Sequence, residues 1–275
     1  MGSYLNAYEI LSEVRKGVNE YSTAYVQGTD TTGAFDNTDI LRKINDAQNY
    51  LYDLLLTHNP ALFYKSAALT GVASVYTVPA DFYRLRRVED ANGLKLTNIN
   101  LDDKRRVLDQ GSGWFYYQVG KTFTLDRIGA SDVLTFYYVS RCRKLNSGMS
   151  SAGGALSLTL ETSARKEADY YNGMQIENVT DDWTDTINDY TAARVATLAA
   201  QTGAASKYYG LISELPEDFH PFISAKAILL MKESHKALKP PTTTETINFR
   251  EALAEKFLSF FGKLDSDYDV AEIFW

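Results

Sequence analysis

The chain has 275 residues, 45% of them apolar and 23% charged, which is enough to bury a core in one large domain or two modest ones. A net charge of −7 and a pI near 5.1 argue against non-specific gripping of nucleic acid, which needs a basic face that displaces counterions. A single cysteine, Cys142, excludes an internal disulfide and a multi-cysteine zinc site; between Arg141 and Arg143 it reads as a small packed apolar residue of a strand.

Tyr4 to Tyr21 reads as a helix, because Leu5, Tyr8, Leu11, Val14 (or Arg15) and Val18 recur at three- and four-residue steps. Ser22 to Gly33 is rich in threonine and glycine and too poor in apolar residues to pack. Thr38 is placed as the N-cap of a stronger helix of about 18–20 residues, ended by Asn59-Pro60. Ile40, Ile44, Ala47, Leu51, Leu54 and Leu55 line one of its faces, and Arg42, Lys43, Asn45, Asp46 and Asn49 the other.

Next comes SVYTVPADFYRLRRVED, Ser74 to Asp90. Val75 to Val78 are β-branched and aromatic types that suit a strand, and Pro79 stops it because proline offers a ladder no donor. Ala80 and Asp81 turn the chain, and Phe82, Leu85 and Val88 carry a second strand with Tyr83, Arg84, Arg86 and Arg87 between them. Asn92-Gly93 signals a hairpin turn between Arg87–Val88 and Leu94–Leu96. Leu101 to Leu108 reads as a short helix. Trp114 to Val119, Thr122 to Leu125 and Val133 to Val139 read as strands of an antiparallel meander, the first two joined at Gly120-Lys121.

Asn146 to Ala155 is a run of small residues, predicted to be a flexible joint. Leu156 to Gly210 is predicted to be a compact all-β insert with a turn at Asn172-Gly173 and strands near Met174–Val179, Thr186-Ile187 and Arg194–Leu198. Helix returns at Leu215-Pro216-Glu217 and is apolar on most sides through Phe219, Phe222 and Ile223 to Met231, with Lys232, Lys236 and Lys239 at its negative end. Pro240-Pro241 break it, and Thr242 to Thr246 offer an N-cap to a last helix that carries Phe249, Leu253, Phe257, Phe260 and Leu264. Asp265 to Trp275 is acidic and then aromatic, and reads as a mobile tail with an anchor.

The expected fold class is α+β: a helical layer from the N- and C-terminal helices, a central antiparallel β meander and an inserted small β module. The expected divisions are 1–155, 156–210, 211–264 and a tail, 265–275.

No apolar run reaches the roughly 18 residues of a membrane span. MGSYLNAYEI lacks the basic start and apolar core of a signal peptide, so the expectation is a soluble product of an intracellular, reducing compartment. His58, His220 and His235 show no metal-ligand spacing; His58 reads as a helix-end cation. There is no nucleophile elbow and no phosphate-cradling glycine loop. No catalytic residue, cofactor or metal is therefore expected. Asp181, Asp182, Asp185 and Asp189 gather around Trp183, and Asp102 adjoins Asp103; these read as solvated loop acids, with a sugar-binding or cell-wall-acting module as the alternative. Arg84, Arg86 and Arg87, with Lys104, Arg105 and Arg106, read as basic runs that pair with an acidic surface of another subunit, with DNA contact as the alternative.

Three stretches in order carry a family likeness: NDAQNYLYDLL at Asn45–Leu55, VYTVPADFYRLRRVED at Val75–Asp90, and LPEDFHPFISAKAILLMKES at Leu215–Ser234. Together they resemble the head-to-tail adaptor, or connector, proteins of tailed bacteriophages, relatives of the tail tubular protein A. On that resemblance Pro79, Asp81, Phe82, Pro216 and Phe219 are the motif residues. It also implies a virion protein at the head–tail junction, assembled in the host cytoplasm as a homo-oligomeric ring of about twelve copies. The implied partners are the portal protein on one side and tail nozzle, tube or fibre proteins on the other, with viral DNA passing through and no membrane. Phe257, Phe260, Tyr268, Ile273, Phe274 and Trp275 are the expected portal-docking residues, and Tyr170, Tyr171, Trp183 and Tyr190 the expected tail-facing ones. The aromatic usage fits such a role, since 19 tyrosines supply rings that pack on one side and stay wet on the other.

Overall fold

The structure, a computed structural model, describes residues 5–18, 35–72, 75–99, 115–120, 122–126, 133–235 and 238–262. The chain forms two compact units: Met1–Leu54 with Cys142–Trp275, and Leu55–Arg141.

In the first unit, helix α1 spans Ala7–Gly17 and opens on a capping box: the Asn6 side chain accepts from the Glu9 amide while the Glu9 carboxylate accepts from the Asn6 amide. Its predicted stripe is buried at Leu11, Val14 and Val18, together with Ile10. Helix α2 runs Asn37–His58 and passes out of this unit after Leu54. It starts one residue before the predicted cap, with the amides of Asp39 and Ile40 bonded to the Asp36 carbonyl, so Thr38 sits in its first turn. Leu54 is half-buried, whereas Asn45, expected on the wet face, is buried. The last two helices are α3 (His220–Ser234), preceded by a 3₁₀ turn at Glu217–Phe219, and α4 (Thr243–Phe261). A second capping box, Thr242 with Glu245, starts α4 where the threonine run was expected to. Helix α3 packs on both α1 and α4, and Lys226 of α3 lies over the Tyr50 ring of α2, so the two ends of the chain do build one helical layer. The approach of α1 to α3 is close enough that a Cβ on Gly17 would sit 2.3 Å from Ile228 Cδ1.

The rest of this unit is a seven-stranded antiparallel sheet of β8 (Ser147–Met149), β9 (Ala152–Gly154), β10 (Ser157–Thr159), β11 (Gln175–Asn178), β12 (Trp183–Tyr190), β13 (Val195–Leu198) and β14 (Tyr208–Leu211), in the order β8-β14-β11-β12-β13-β10-β9. The small-residue run predicted as a joint is thus two of its strands, β8 on β14 and β9 on β10. Small residues are needed there because neighbouring chain lies too near for side chains: a Cβ on Gly153 would meet the Ala204 amide nitrogen at 2.3 Å. Composition alone does not separate such packing from flexibility.

The second unit stacks two sheets on one core. β1 (Tyr64–Thr70), β7 (Val133–Ser140) and β3 (Phe82–Glu89) form the antiparallel sheet β1-β7-β3. β2 (Val75–Thr77), β6 (Thr122–Asp126), β5 (Phe115–Val119) and β4 (Thr97–Asn98) form the second, in which β4 and β5 run parallel. Tyr76, Val88, Leu96, Tyr116, Phe123, Leu134 and Phe136 close the core between them. A simple meander was expected. Instead β7 does not pair with β6 but inserts between β3 and β1, a strand that the sequence reading left out. The reason is visible in KSAALT: Lys65, Ala67 and Leu69 face inward, but short side chains give a weak alternation. The turn at Asn92-Gly93 is as expected, with Gly93 at φ 79° and the Asp90 side chain accepting from the amides of Asn92 and Leu94.

Candidate interaction surfaces

The proline corner joins two sheets of the second unit. β2 belongs to one and β3 to the other, and the Phe82 amide donates to the Pro79 carbonyl at 3.0 Å to close the turn. Asp81 pins it. Its buried carboxylate accepts from Lys65 Nζ at 2.8 Å and from the Tyr138 hydroxyl at 2.9 Å, and its carbonyl accepts from the Arg141 amide at 2.6 Å. One aspartate thus ties β1 and β7 to the start of β3. Asp81→Ala removes the acceptor of a buried hydroxyl and is expected to cost about 1–3 kcal/mol, whereas Asp81→Asn keeps an oxygen for Tyr138 and costs less. Thermal unfolding of the two variants checks the order.

Across the sheet, residue partners fall in rows. Tyr64, Val139 and Arg84 form one row, Ser66, Tyr137 and Arg87 the next, and Ala68, Thr135 and Glu89 a third. The alternate rows, including Phe136 with Val88, face the core. Strand β3 is an edge with two irregularities, at Phe82/Arg84 and Leu85/Arg87, and the extra residues Tyr83 and Arg86 are exposed. Bulges and charge on an edge discourage the addition of another strand. The arginines lie on tyrosines: Arg87 is 4.2 Å from the Tyr137 ring centre, Arg86 5.0 Å from Tyr64, and Arg141 5.3 Å from Tyr83. Tyr64 and Tyr83 are 45% and 47% exposed, a large apolar area to leave in water. A hollow of about 380 Å³ opens between Tyr64, Ser66, Arg86, Arg87 and Tyr137. Lys104, Arg105 and Arg106, the second basic run, and the Asp102-Asp103 pair lie outside the described residues, as does the expected helix at Leu101–Leu108.

The expected tail-facing tyrosines are placed differently from a surface. Tyr171 and Tyr190 are each 1% exposed and Tyr170 is 9% exposed, while Trp183 is half-buried. Tyr171 packs edge-on against Tyr170 at 4.9 Å and Tyr190 at 4.8 Å. Burial drives the Tyr190 phenol up to about 12 and the Tyr171 phenol higher still. Their hydroxyls serve the backbone: Tyr190 donates to the Arg165 carbonyl and Tyr170 accepts from the Lys144 amide. These rings hold the irregular chain around β12 to the sheet, so they offer no surface to a partner.

Beside them is a polar hub that sequence reasoning missed. Arg143, 5% exposed, grips Glu214 with its Nε at 3.1 Å and Nη2 at 2.7 Å, and its Nη1 donates to the carbonyls of Tyr170 and Asn172. From α2, the Asn45 side chain donates to the Leu145 carbonyl and accepts from the Leu145 amide, while Gln48 donates to the Arg143 carbonyl and accepts from the Ser213 hydroxyl. The asparagine–aspartate–alanine–glutamine stretch therefore has a structural reason. An amide side chain can satisfy a strand-like backbone from the side, donor and acceptor at once.

At the C-terminal helices, Pro216 precedes the 3₁₀ turn as its cap rather than sitting inside a helix. Phe219 is fully buried, edge-on to Phe257 at 5.1 Å and Phe260 at 5.2 Å. Of the expected portal-docking residues, Phe257 is buried and Phe260 half-buried; Tyr268, Ile273, Phe274 and Trp275 lie outside the described residues.

The acids around Trp183 are occupied locally. Asp181 pairs with Lys207 and Asn178, and Asp185 accepts from the amides of Ala200, Gln201 and Thr186. Desolvation pushes the Asp185 carboxyl up, but the backbone donors outweigh it and hold the group below the usual aspartate range. His220 lies 2.9 Å from the Leu215 carbonyl and His58 ends α2; burial lowers the pKa of both, the direction opposite to that expected of a helix-end cation at His58. Among the described residues no cluster of His, Cys, Asp or Glu is arranged to hold a metal ion, and no helix is long and apolar enough to cross a membrane. Cys142, the single cysteine of the chain, is buried and in no disulfide.

Comparison with protein families finds a match over residues 5–152, more than half the chain, to the family described as SU10 adaptor protein. The matched span holds α1, α2, the proline corner and the arginine–tyrosine face. No curated protein matches the chain.

Proposed function

The chain belongs to the SU10 adaptor protein family, a phage adaptor family, and from that premise we propose that it is a head-to-tail adaptor of the virion, forming a ring of about twelve copies between portal and tail. The family match over residues 5–152 carries the reading. The Asn45–Gln48 clamp and the Asp81 pin fit it, because both spend motif residues on rigidity rather than on a reacting centre. A ring works by repeated contact, and a rigid subunit loses less entropy on docking.

The portal contact is assigned to the C-terminal segment that carries Tyr268, Ile273, Phe274 and Trp275, with Phe260 at its base; tail proteins meet the side that bears Trp183. DNA passes without being held, since a chain of net charge −7 offers phosphate little to displace its counterions for. The sugar-binding alternative is not favoured, since Asp181 and Asp185 are spent on Lys207 and on backbone amides.

Electron microscopy of the full chain mixed with its portal tests the reading. The expected result is added ring density on one end of the portal. Portal particles that stay bare at saturating protein, with the chain folded by circular dichroism, overturn it.

A further inference from the structure

Charge divides between the two units far more sharply than the whole-chain value suggests. Leu55–Arg141 carries 11 Lys and Arg against 8 Asp and Glu, a net +3. The remainder carries 17 against 27, a net −10, and the two return the −7 of the chain. The smaller, basic unit also bears eight of the eleven exposed large apolar side chains found among the described residues, Tyr64, Tyr83, Val72 and Leu94 among them. Its three-stranded sheet turns outward Arg84, Arg86 and Arg87, with Arg86 over Tyr64 and Arg87 over Tyr137.

Tyrosine and arginine are the residue types that dominate the energetic centre of protein interfaces, the first for rigid area and the second for a planar fork that grips carboxylates. Arg86, lying on Tyr64, keeps donors at its rim and loses little freedom when a carboxylate arrives, whereas Arg87 on Tyr137 already pairs through Nε with Glu89 at 3.0 Å. On this chain the complementary charge lies on the other unit, where Asp182 and Asp189 of the β12 region are exposed.

We propose that the arginine–tyrosine face of Leu55–Arg141 docks on the acidic unit of a second copy of this chain. The inference rests on the ring reading above and names the surface through which copies join. Such a contact is heterologous, one patch meeting a different one, and a heterologous contact whose rotation closes generates a ring. A symmetric contact of this face with itself would set Arg84, Arg86 and Arg87 against their own images, and like charges brought together cost several kcal/mol.

The test uses the full chain with Tyr64→p-benzoylphenylalanine, a photo-crosslinking side chain, assembled alone and on its portal. The expected result is a crosslink between two copies, with the captured peptide drawn from the acidic unit, residues 1–54 or 142–275. Capture of a peptide from 55–141 overturns the proposal in favour of a symmetric contact; capture of nucleic acid or of another virion protein overturns it in favour of that partner. Native mass measurement of the same sample reads the ring separately. A closed assembly with crosslinks elsewhere sinks this inference alone, whereas a chain that stays monomeric with and without portal sinks the ring reading and this inference together. A second variant, Arg86→Glu with Arg87→Glu, is expected to raise the concentration needed for assembly at least tenfold while circular dichroism is unchanged. Assembly at the wild-type concentration counts against the proposal.

Discussion

Arg143→Ala is expected to cost the first unit about 3–5 kcal/mol, the penalty for removing one partner of a buried ion pair. The guanidinium holds the Glu214 carboxylate at two points and at the same time satisfies the carbonyls of Tyr170 and Asn172. The truncation leaves the Glu214 charge, only 18% exposed at its side chain, without that guanidinium, and takes a donor from two carbonyls in the same place. Chemical denaturation measures the loss as a lower midpoint. Amide exchange locates it, with the clearest rise expected at Leu145, whose amide donates to Asn45. Neutralising both groups, Arg143→Met with Glu214→Leu, is expected to recover part of the loss but not all, because the carbonyls still lack their donor. Full recovery would show that the ion pair alone matters and that the carbonyl contacts are incidental.

Phe219→Ala is expected to cost a similar 3–5 kcal/mol by a different route. The ring is fully buried, and Phe257 and Phe260 meet it edge-on. Truncation removes the ring's transfer energy and leaves a cavity that packed helices close only in part. Since Phe219 ends the 3₁₀ turn from which α3 departs and its two partners lie on α4, the loss falls on the contact between those helices. Faster proteolysis within Thr243–Phe261, with little change in Leu55–Arg141, is the expected pattern. Phe219→Leu keeps most of the volume and is expected to keep most of the stability. A loss below about 1.5 kcal/mol for Phe219→Ala would mean that the helices repack around the gap.

These two positions differ in how far the sequence announced them. Phe219 lies in a family motif and in a stretch that is apolar on most sides, so its burial follows from composition. Arg143 lay beside a cysteine in a stretch without periodicity, where charge ordinarily implies exposure. Nothing local distinguishes an arginine that reaches water from one that folds back onto Glu214, because that partner lies 71 residues away. Asn45 was read as exposed for the same reason: an amide on a helix is polar by type, and only the chain at Leu145 makes it interior.

The tyrosines show the same limit from the other side. Tyr171 and Tyr190 look like interface rings in a sequence rich in aspartate. Yet each is enclosed, because a phenol can bury its ring and still find a backbone acceptor or donor for its oxygen. Tyr64 carries no signal of exposure in the sequence and Tyr83 stands with the arginines of its strand; among the described tyrosines these two are the exposed ones.

What the sequence determined by itself was local. The N-cap in the threonine run before α4, the proline corner, the glycine turns at Gly93 and Gly173, and the α+β class all follow from chemistry among residues a few positions apart. Tertiary structure alone decided that β7 lies between β1 and β3, that Asn146–Ala155 supplies two strands, and that the charge of the chain falls into one basic and one acidic unit. Each of these depends on which distant segments meet. Pairing energy between strands is set by both partners, and a single strand's residues carry only half of it.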